Sequence, residues 1–136
     1  MKVIKDCWRY IFPAECAYGA HIFENSTVKI YVPDGLGVDL EMAKLFCKKR
    51  DFQFVGHCIF VFKNVHRFDF SVSPYEVKNG KTIWRKSIQS HYQGEVLKEL
   101  NNFSFAGHLQ GLQAYVDAEV EAQHFELHIL EKDESA

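Results

Sequence analysis

The sequence predicts an α+β fold: a mostly antiparallel β-sheet of hairpins and meander, packed with one main helix and one short helix. Three observations lead there. Apolar and polar residues alternate with period two from Phe52 to Val72 and again from Ala114 to Gln123, the spacing that sends successive side chains to opposite faces of a strand. Asn79-Gly80 is a hairpin signature, because a type I′ turn needs positive φ at both central positions. Pro33-Asp34-Gly35 is a turn, and a helix-like apolar stripe begins just after it at Asp39.

Residues 2 to 12 fit two patterns. Val3, Ile4, Cys7, Trp8 and Ile11 form a helical stripe, while Ile4, Trp8, Tyr10 and Phe12 share a strand parity, and Pro13 ends either element. Tyr18 to Val32 reads as two strands joined near Asn25-Ser26, since Thr27, Val28, Ile30, Tyr31 and Val32 are β-branched or aromatic. The main helix is expected from Asp39, a plausible N-cap, with Leu40, Ala43, Phe46 and Cys47 on one face. Lys48, Lys49 and Arg50 would then suit the negative end of its macrodipole.

From Phe52 to Val72 the spacing predicts a long hairpin, with Lys63-Asn64 separating its strands. The first strand carries Phe52, Phe54, Cys58, Phe60 and Phe62 on one face and Val55, Ile59 and Val61 on the other, so it belongs at the centre of the sheet, buried on both sides. Its partner carries Phe68, Phe70 and Val72 against Arg67, Asp69 and Ser71, the pattern of a half-exposed strand. A two-residue loop would face Phe68 with Ile59, a three-residue loop with Phe60. The Asn79-Gly80 hairpin sets Tyr75 opposite Trp84 and Val77 opposite Thr82. After Gly94, Glu95 to Leu100 is the expected short helix, burying Val96, Leu97 and Leu100; Phe103 and Phe105 start another strand, and Gly107 to Gly111 breaks it.

In residues 112 to 130, Ala114, Val116, Ala118, Val120 and Ala122 alternate with Tyr115, Asp117, Glu119, Glu121 and Gln123, which outweighs the helix propensity of Ala and Glu. A helix there would bury Glu119 and Gln123. Parity then changes to Phe125, Leu127 and Ile129, so a bulge or break is expected near Gln123-His124.

A chain of 136 residues has room for one core, here residues 1 to 130 with a polar tail over 131 to 136. Sixteen basic against eighteen acidic residues leave a formal charge of −2, far from the basic balance that holds a phosphate backbone. Seven histidines would carry that sum to +5 if all were protonated. Cys7, Cys16, Cys47 and Cys58 are spaced 9, 31 and 11 apart, without a C-x-x-C pair; buried reduced thiols are expected, and a Cys7–Cys16 bridge remains open. The early charges Lys5, Asp6 and Arg9 do not suit an export signal, and the longest strongly apolar run, Cys58 to Phe62, is five residues long; a cytoplasmic protein is expected.

Chemistry-bearing constellations are sparse. A metal site would draw on His57, Cys58 and His66 with Cys47 or His21, yet His57 and Cys58 are neighbours on a predicted strand and point to opposite faces. His124 and His128, four apart, align only on a helix. Nucleophilic catalysis would need Cys58 or Cys16 with a histidine and a carboxylate such as Asp69, but Cys58 lies among bulky apolar residues, where burial opposes the thiolate. Gly35-Leu36-Gly37 lacks the lysine and spacing of a phosphate loop, and Gly107-His108-Leu109-Gln110-Gly111 lacks the basic surroundings of a nucleic-acid clamp. Lys63, His66, Arg67 and Phe68, or Lys81, Trp84, Arg85 and Lys86, mix cations and rings as single-strand binders do, although Tyr75 opposite Trp84 reads first as packing. The expectation is therefore no catalytic, cofactor-binding or metal-binding residue and no cofactor.

Phe60-Val61-Phe62-Lys63-Asn64-Val65-His66-Arg67-Phe68-Asp69-Phe70, followed by Phe103-Ser104-Phe105-Ala106-Gly107 and the acidic alternating segment to Phe125-Glu126-Leu127, resembles small uncharacterised bacterial α+β proteins, including immunity proteins that neutralise secreted toxins. The resemblance covers roughly residues 52 to 130 and carries over no functional residue. The missing active-site chemistry makes a non-enzymatic interaction module the leading expectation, with another protein as its partner, a toxin among the candidates; the charge balance argues against nucleic acid and the short apolar runs against a membrane, and a homo-oligomer is compatible with it. Asp117, Glu119 and Glu121, on one face of the expected strand, are the candidate partner-binding residues, suited to the basic groove of a nuclease. The alternative is a small enzyme or apolar-ligand-binding barrel with a pocket lined by Phe and His.

Overall fold

A computed structural model describes residues 1–46 and 54–130. Two long antiparallel strands organise it, β7 (Cys58–Lys78) and β11 (Ala114–Ile129), in register from Cys58 opposite Ile129 to Pro74 opposite Ala114. The remaining strands, in chain order, are β1 (Lys2–Lys5), β2 (Ile11–Phe12), β3 (Cys16–Tyr18), β4 (His21–Glu24), β5 (Thr27–Val32), β6 (Gly37–Val38), β8 (Lys81–Trp84), β9 (Ile88–Gln93) and β10 (Asn101–Leu109). Along its free flank β7 is paired first by β5, then by β9, then by β8, while β11 is paired on its own flank by β1 and then β10. β4 extends the sheet beyond β5, β3 runs parallel to β10, and β2 with β6 makes a separate two-stranded ribbon. Among the described residues, no helix is long and apolar enough to cross a membrane.

Strand dominance overturns the α+β expectation. The expected main helix reduces to a 3-10 turn (Leu40–Met42) and one α turn, α1 (Ala43–Phe46). Asp39 does act at its start, accepting a hydrogen bond from the Glu41 amide at 3.0 Å, but a cap cannot sustain a helix by itself: Leu40, at the head of the expected stripe, is 65% exposed, and Phe46 is buried at the far end. Cys47, the basic triplet Lys48 to Arg50 and Phe52 lie outside the described residues, as does the tail. The expected short helix over Glu95 to Leu100 does not form either. Glu99 sits at φ +57°, outside helical space, and Val96, meant for the core, is 89% exposed.

The hairpin expected across Lys63-Asn64 is absent, because β7 runs straight through it. Asn64 takes the left-handed conformation at φ +56° that such a turn would use, and the irregularity is spent on a bulge instead. Glu121 faces Arg67 but Ala122 faces Val65, leaving His66 as the extra residue on β7. Phe68 accordingly faces Val120 and Tyr92, not Ile59 or Phe60. The two burial patterns read as two strands are thus the two halves of one: the first, between β5 and β11, buries Cys58, Phe60, Phe62 and also Val61, and the second keeps Arg67, Asp69 and Ser71 outward. Phe54 departs from its assigned face, pointing out while Val55 is buried.

Other readings match. β4 and β5 join at Asn25-Ser26, both at positive φ. Asn79 (φ +51°) and Gly80 (φ +75°) turn β7 into β8 with Tyr75 opposite Trp84 and Val77 opposite Thr82. β11 is a strand throughout, and its parity changes where β7 bulges. Residues 2 to 12 resolve into β1, a 3-10 turn (Trp8–Tyr10) and β2. Cys7, Cys16 and Cys58 are free and buried, so Cys7 and Cys16 are not bridged. The break expected over Gly107 to Gly111 comes later than read: β10 continues through Gly107 to Leu109, because β3 pairs alongside it there, and a Cβ at Gly107 would lie 2.2 Å from the Cys16 carbonyl oxygen.

Rings from distant ladder rows meet, and the Trp8 ring sits among those of Phe60, Phe62, Phe103, Phe105 and Phe125 at centroid distances of 4.9 to 5.8 Å. Phe60 and Phe105 come within 5.7 Å of each other. Beyond the bulge a second cluster joins Phe68, Phe70 and Tyr92 to His21 and Phe23 from β4.

Candidate functional site

Period-two alternation gives the second half of the β7–β11 ribbon an outer face opposite this ring-filled one. Pairing aligns its side chains in rows across four strands: Asn102, Glu121, Arg67 and Gln93; then Ser104, Glu119, Asp69 and His91; then Ala106, Asp117, Ser71 and Gln89. The three carboxylates singled out from the sequence are therefore brought together, and a fourth, Asp69, joins them.

Arg67 is the hub. Its Nε donates to Glu121 Oε1 at 2.8 Å, its guanidinium lies 3.7 Å from Glu119 Oε1, and it also bonds Asp69. Asp69 is shared with His91 Nδ1. Partial burial pushes the Asp69 carboxyl up, but the bonds from His91 and Arg67 outweigh that and hold it below the ordinary value of 3.8. The same hydrogen bond and charge raise His91 above its ordinary 6.5. Asn102 Nδ2 donates to Glu119 at 3.0 Å. Asp117 is exposed and, among the described residues, has no hydrogen-bond or ion-pair partner.

A shallow depression of about 230 Å³ lies over this lattice, lined by Asp69, Ser71, Gln89, His91, Asp117 and Glu119 among others. Four carboxylates surround one guanidinium and one imidazole there, so the face stays acidic whether or not His91 is protonated. Such a surface offers a fixed array of acceptors to incoming cations.

The other candidate groups are dispersed. Desolvation holds the Cys58 and Cys16 thiols above their ordinary value and pushes Cys7 up to about 11, away from nucleophilic use near neutrality. Asp69 faces out while Cys58 and Cys16 face in, so the triad considered from the sequence is not assembled. His57 meets Tyr31 Oη at 3.2 Å, His66 lies 2.8 Å from the Glu95 carbonyl oxygen, and His21 packs on Phe70 at 4.4 Å. His128 bonds Glu126 at 3.0 Å, and His124 lies across from Lys63. Among the described residues, no three His, Cys, Asp or Glu side chains converge as metal ligands would.

Sequence reasoning missed His91 because β9 was not recognised. The signal was there: Ile88, Ser90 and Tyr92 alternate with Gln89, His91 and Gln93. Comparison with known proteins finds no matching family model, no matching curated protein and no matching solved structure.

Proposed function

We propose that this chain is a non-enzymatic protein-interaction module that receives a basic surface of another protein on the outer face of β7, β9, β10 and β11, as an immunity-type inhibitor receives its toxin. One observation carries the reading: Asp69, Asp117, Glu119 and Glu121 share that open face around a single guanidinium, and Asp117 is uncommitted. Such an array attracts a cationic partner over distances of about 10 Å at ordinary salt and repels nucleic-acid phosphates. The rival reading needs the phenylalanines to line an open pocket. Phe60, Phe62 and Phe125 instead pack on Trp8 and on one another, which supports the interaction module over a ligand-binding barrel.

The test is to identify what co-purifies with the native protein and to measure that association across a salt series. A basic protein whose affinity falls steeply with salt is expected. Nucleic acid or a small molecule in its place, or a protein partner insensitive to salt, would overturn the reading.

A further inference from the structure

The outer face does not end at the carboxylates. Beyond Ser71 the outward positions of β7 continue as Ser73, Tyr75 and Val77, and the Asn79-Gly80 turn brings Trp84 and Thr82 of β8 beside them. Tyr115 of β11 faces Ser73, and His108 of β10 faces Tyr115. Together Ser73, Tyr75, Thr82, Trp84, His108 and Tyr115 line a cleft of about 640 Å³. The Tyr75 and Trp84 rings stand 5.2 Å apart at 56°, and the His108 and Tyr115 rings 6.5 Å apart at 85°.

These rings do little for the fold. Trp84 is 57% exposed on an arm where β8 is paired to β7 alone, and Tyr115, on β11 between β7 and β10, is 40% exposed. Their faces carry negative electrostatic potential that attracts cations. Among the described residues, no lysine or arginine lines the cleft: alternation places Lys78, Lys81 and Arg85 on the opposite side of the arm, where Glu76 bonds Arg85 at 2.7 Å and Lys78 at 3.5 Å. Asp117 lies two residues along β11 from Tyr115, about 7 Å at strand spacing.

We propose that this cleft seats an arginine side chain of the protein partner, its guanidinium stacked on Trp84 and Tyr75 and drawn there by the field of the adjoining acidic rows, whose nearest carboxylate along β11 is Asp117. The proposal rests on the reading of the outer face as a protein-binding surface and names the group that anchors there. Arginine fits better than lysine, because a planar and weakly hydrated guanidinium stacks on rings while a compact, strongly hydrated ammonium does not. A nucleobase would fit the rings but would bring its phosphate against the acidic rows.

The full chain is titrated calorimetrically with acetylated, amidated tetra-arginine and tetra-lysine peptides and with an eight-residue oligothymidylate. Tetra-arginine should bind several-fold more tightly than tetra-lysine, and the oligonucleotide should not bind. Trp84→Ala should weaken the arginine peptide about tenfold, and Trp84→Phe less, with thermal unfolding unchanged because the ring lies outside the core. Asp117→Asn should weaken it and flatten its salt dependence. If Trp84→Ala binds as well as the parent while Asp117→Lys/Glu119→Lys/Glu121→Lys loses the peptide, the arginine cleft is wrong and the acidic face survives. If neither variant changes binding, or the oligonucleotide binds preferentially, both fall. No binding of tetra-arginine to the parent chain also overturns the cleft.

Discussion

The two faces of one ribbon, β7 with β11, obey different physics. On the inner side Phe68, Phe70, Val116, Ala118 and Val120 are buried, and before the bulge Phe60, Phe62 and Phe125 join the ring cluster around Trp8. On the outer side the intervening residues are Arg67, Asp69, Ser71, Asp117, Glu119 and Glu121, half-buried or exposed, with Arg67 ion-paired to Asp69, Glu119 and Glu121. Ring burial is worth several kcal/mol per side chain, whereas exposed ion pairs contribute about 0–1 kcal/mol each. Stability therefore resides on one face, and the other can carry an acidic array without endangering the fold.

The contrast can be broken by substitution. Phe125→Ala should cost the most, about 3–5 kcal/mol by chemical denaturation, since it empties a site against Trp8, Phe60 and Phe62. Gly107→Ala should cost about 1–3 kcal/mol, because the added methyl meets the Cys16 backbone oxygen and must push β3 away. Arg67→Met, on the outer face, should cost no more than about 1 kcal/mol although it severs three ion pairs. A loss as large as that of Phe125→Ala would mean that the lattice is structural.

The smallest effect sharpens the electrostatics. His91 should titrate above 6.5 by NMR, and Asp69→Asn should bring it back toward that ordinary value. The raised His91 contributes stability that is complete below 6.5 and is lost as pH rises through its folded value; the lowered Asp69 contributes stability present above 3.8 and lost as pH falls through its own. The Asp69–His91 pairing is thus complete between those two ordinary values. A His91 that titrates at its ordinary value in the parent chain would dissolve the pair.

Legibility followed the range of each signal. Turn chemistry acts over four residues, so Asn79-Gly80 fixed a register that the structure reproduces. Alternation acts along one strand, so β11, its change of parity and its shared acidic face could be read from Ala114 to Ile129. The helix signal at Asp39 was local and correct at the cap, but whether Leu40 would find a core is a tertiary question. Asn64 shows the same limit: its left-handed backbone suits a turn or a bulge, and only the continuous partner β11 decides between them. Long-range pairing also hid the site's second half, for Asp69 meets His91 across 22 residues and Arg67 meets Glu121 across 54.

The most direct measurement is the affinity of the Asp117→Lys/Glu119→Lys/Glu121→Lys variant for the co-purifying partner, with its denaturation midpoint taken alongside. Affinity should fall roughly hundredfold or more while stability shifts by no more than about 1–2 kcal/mol. Unchanged affinity in a folded variant would contradict the assignment of this face.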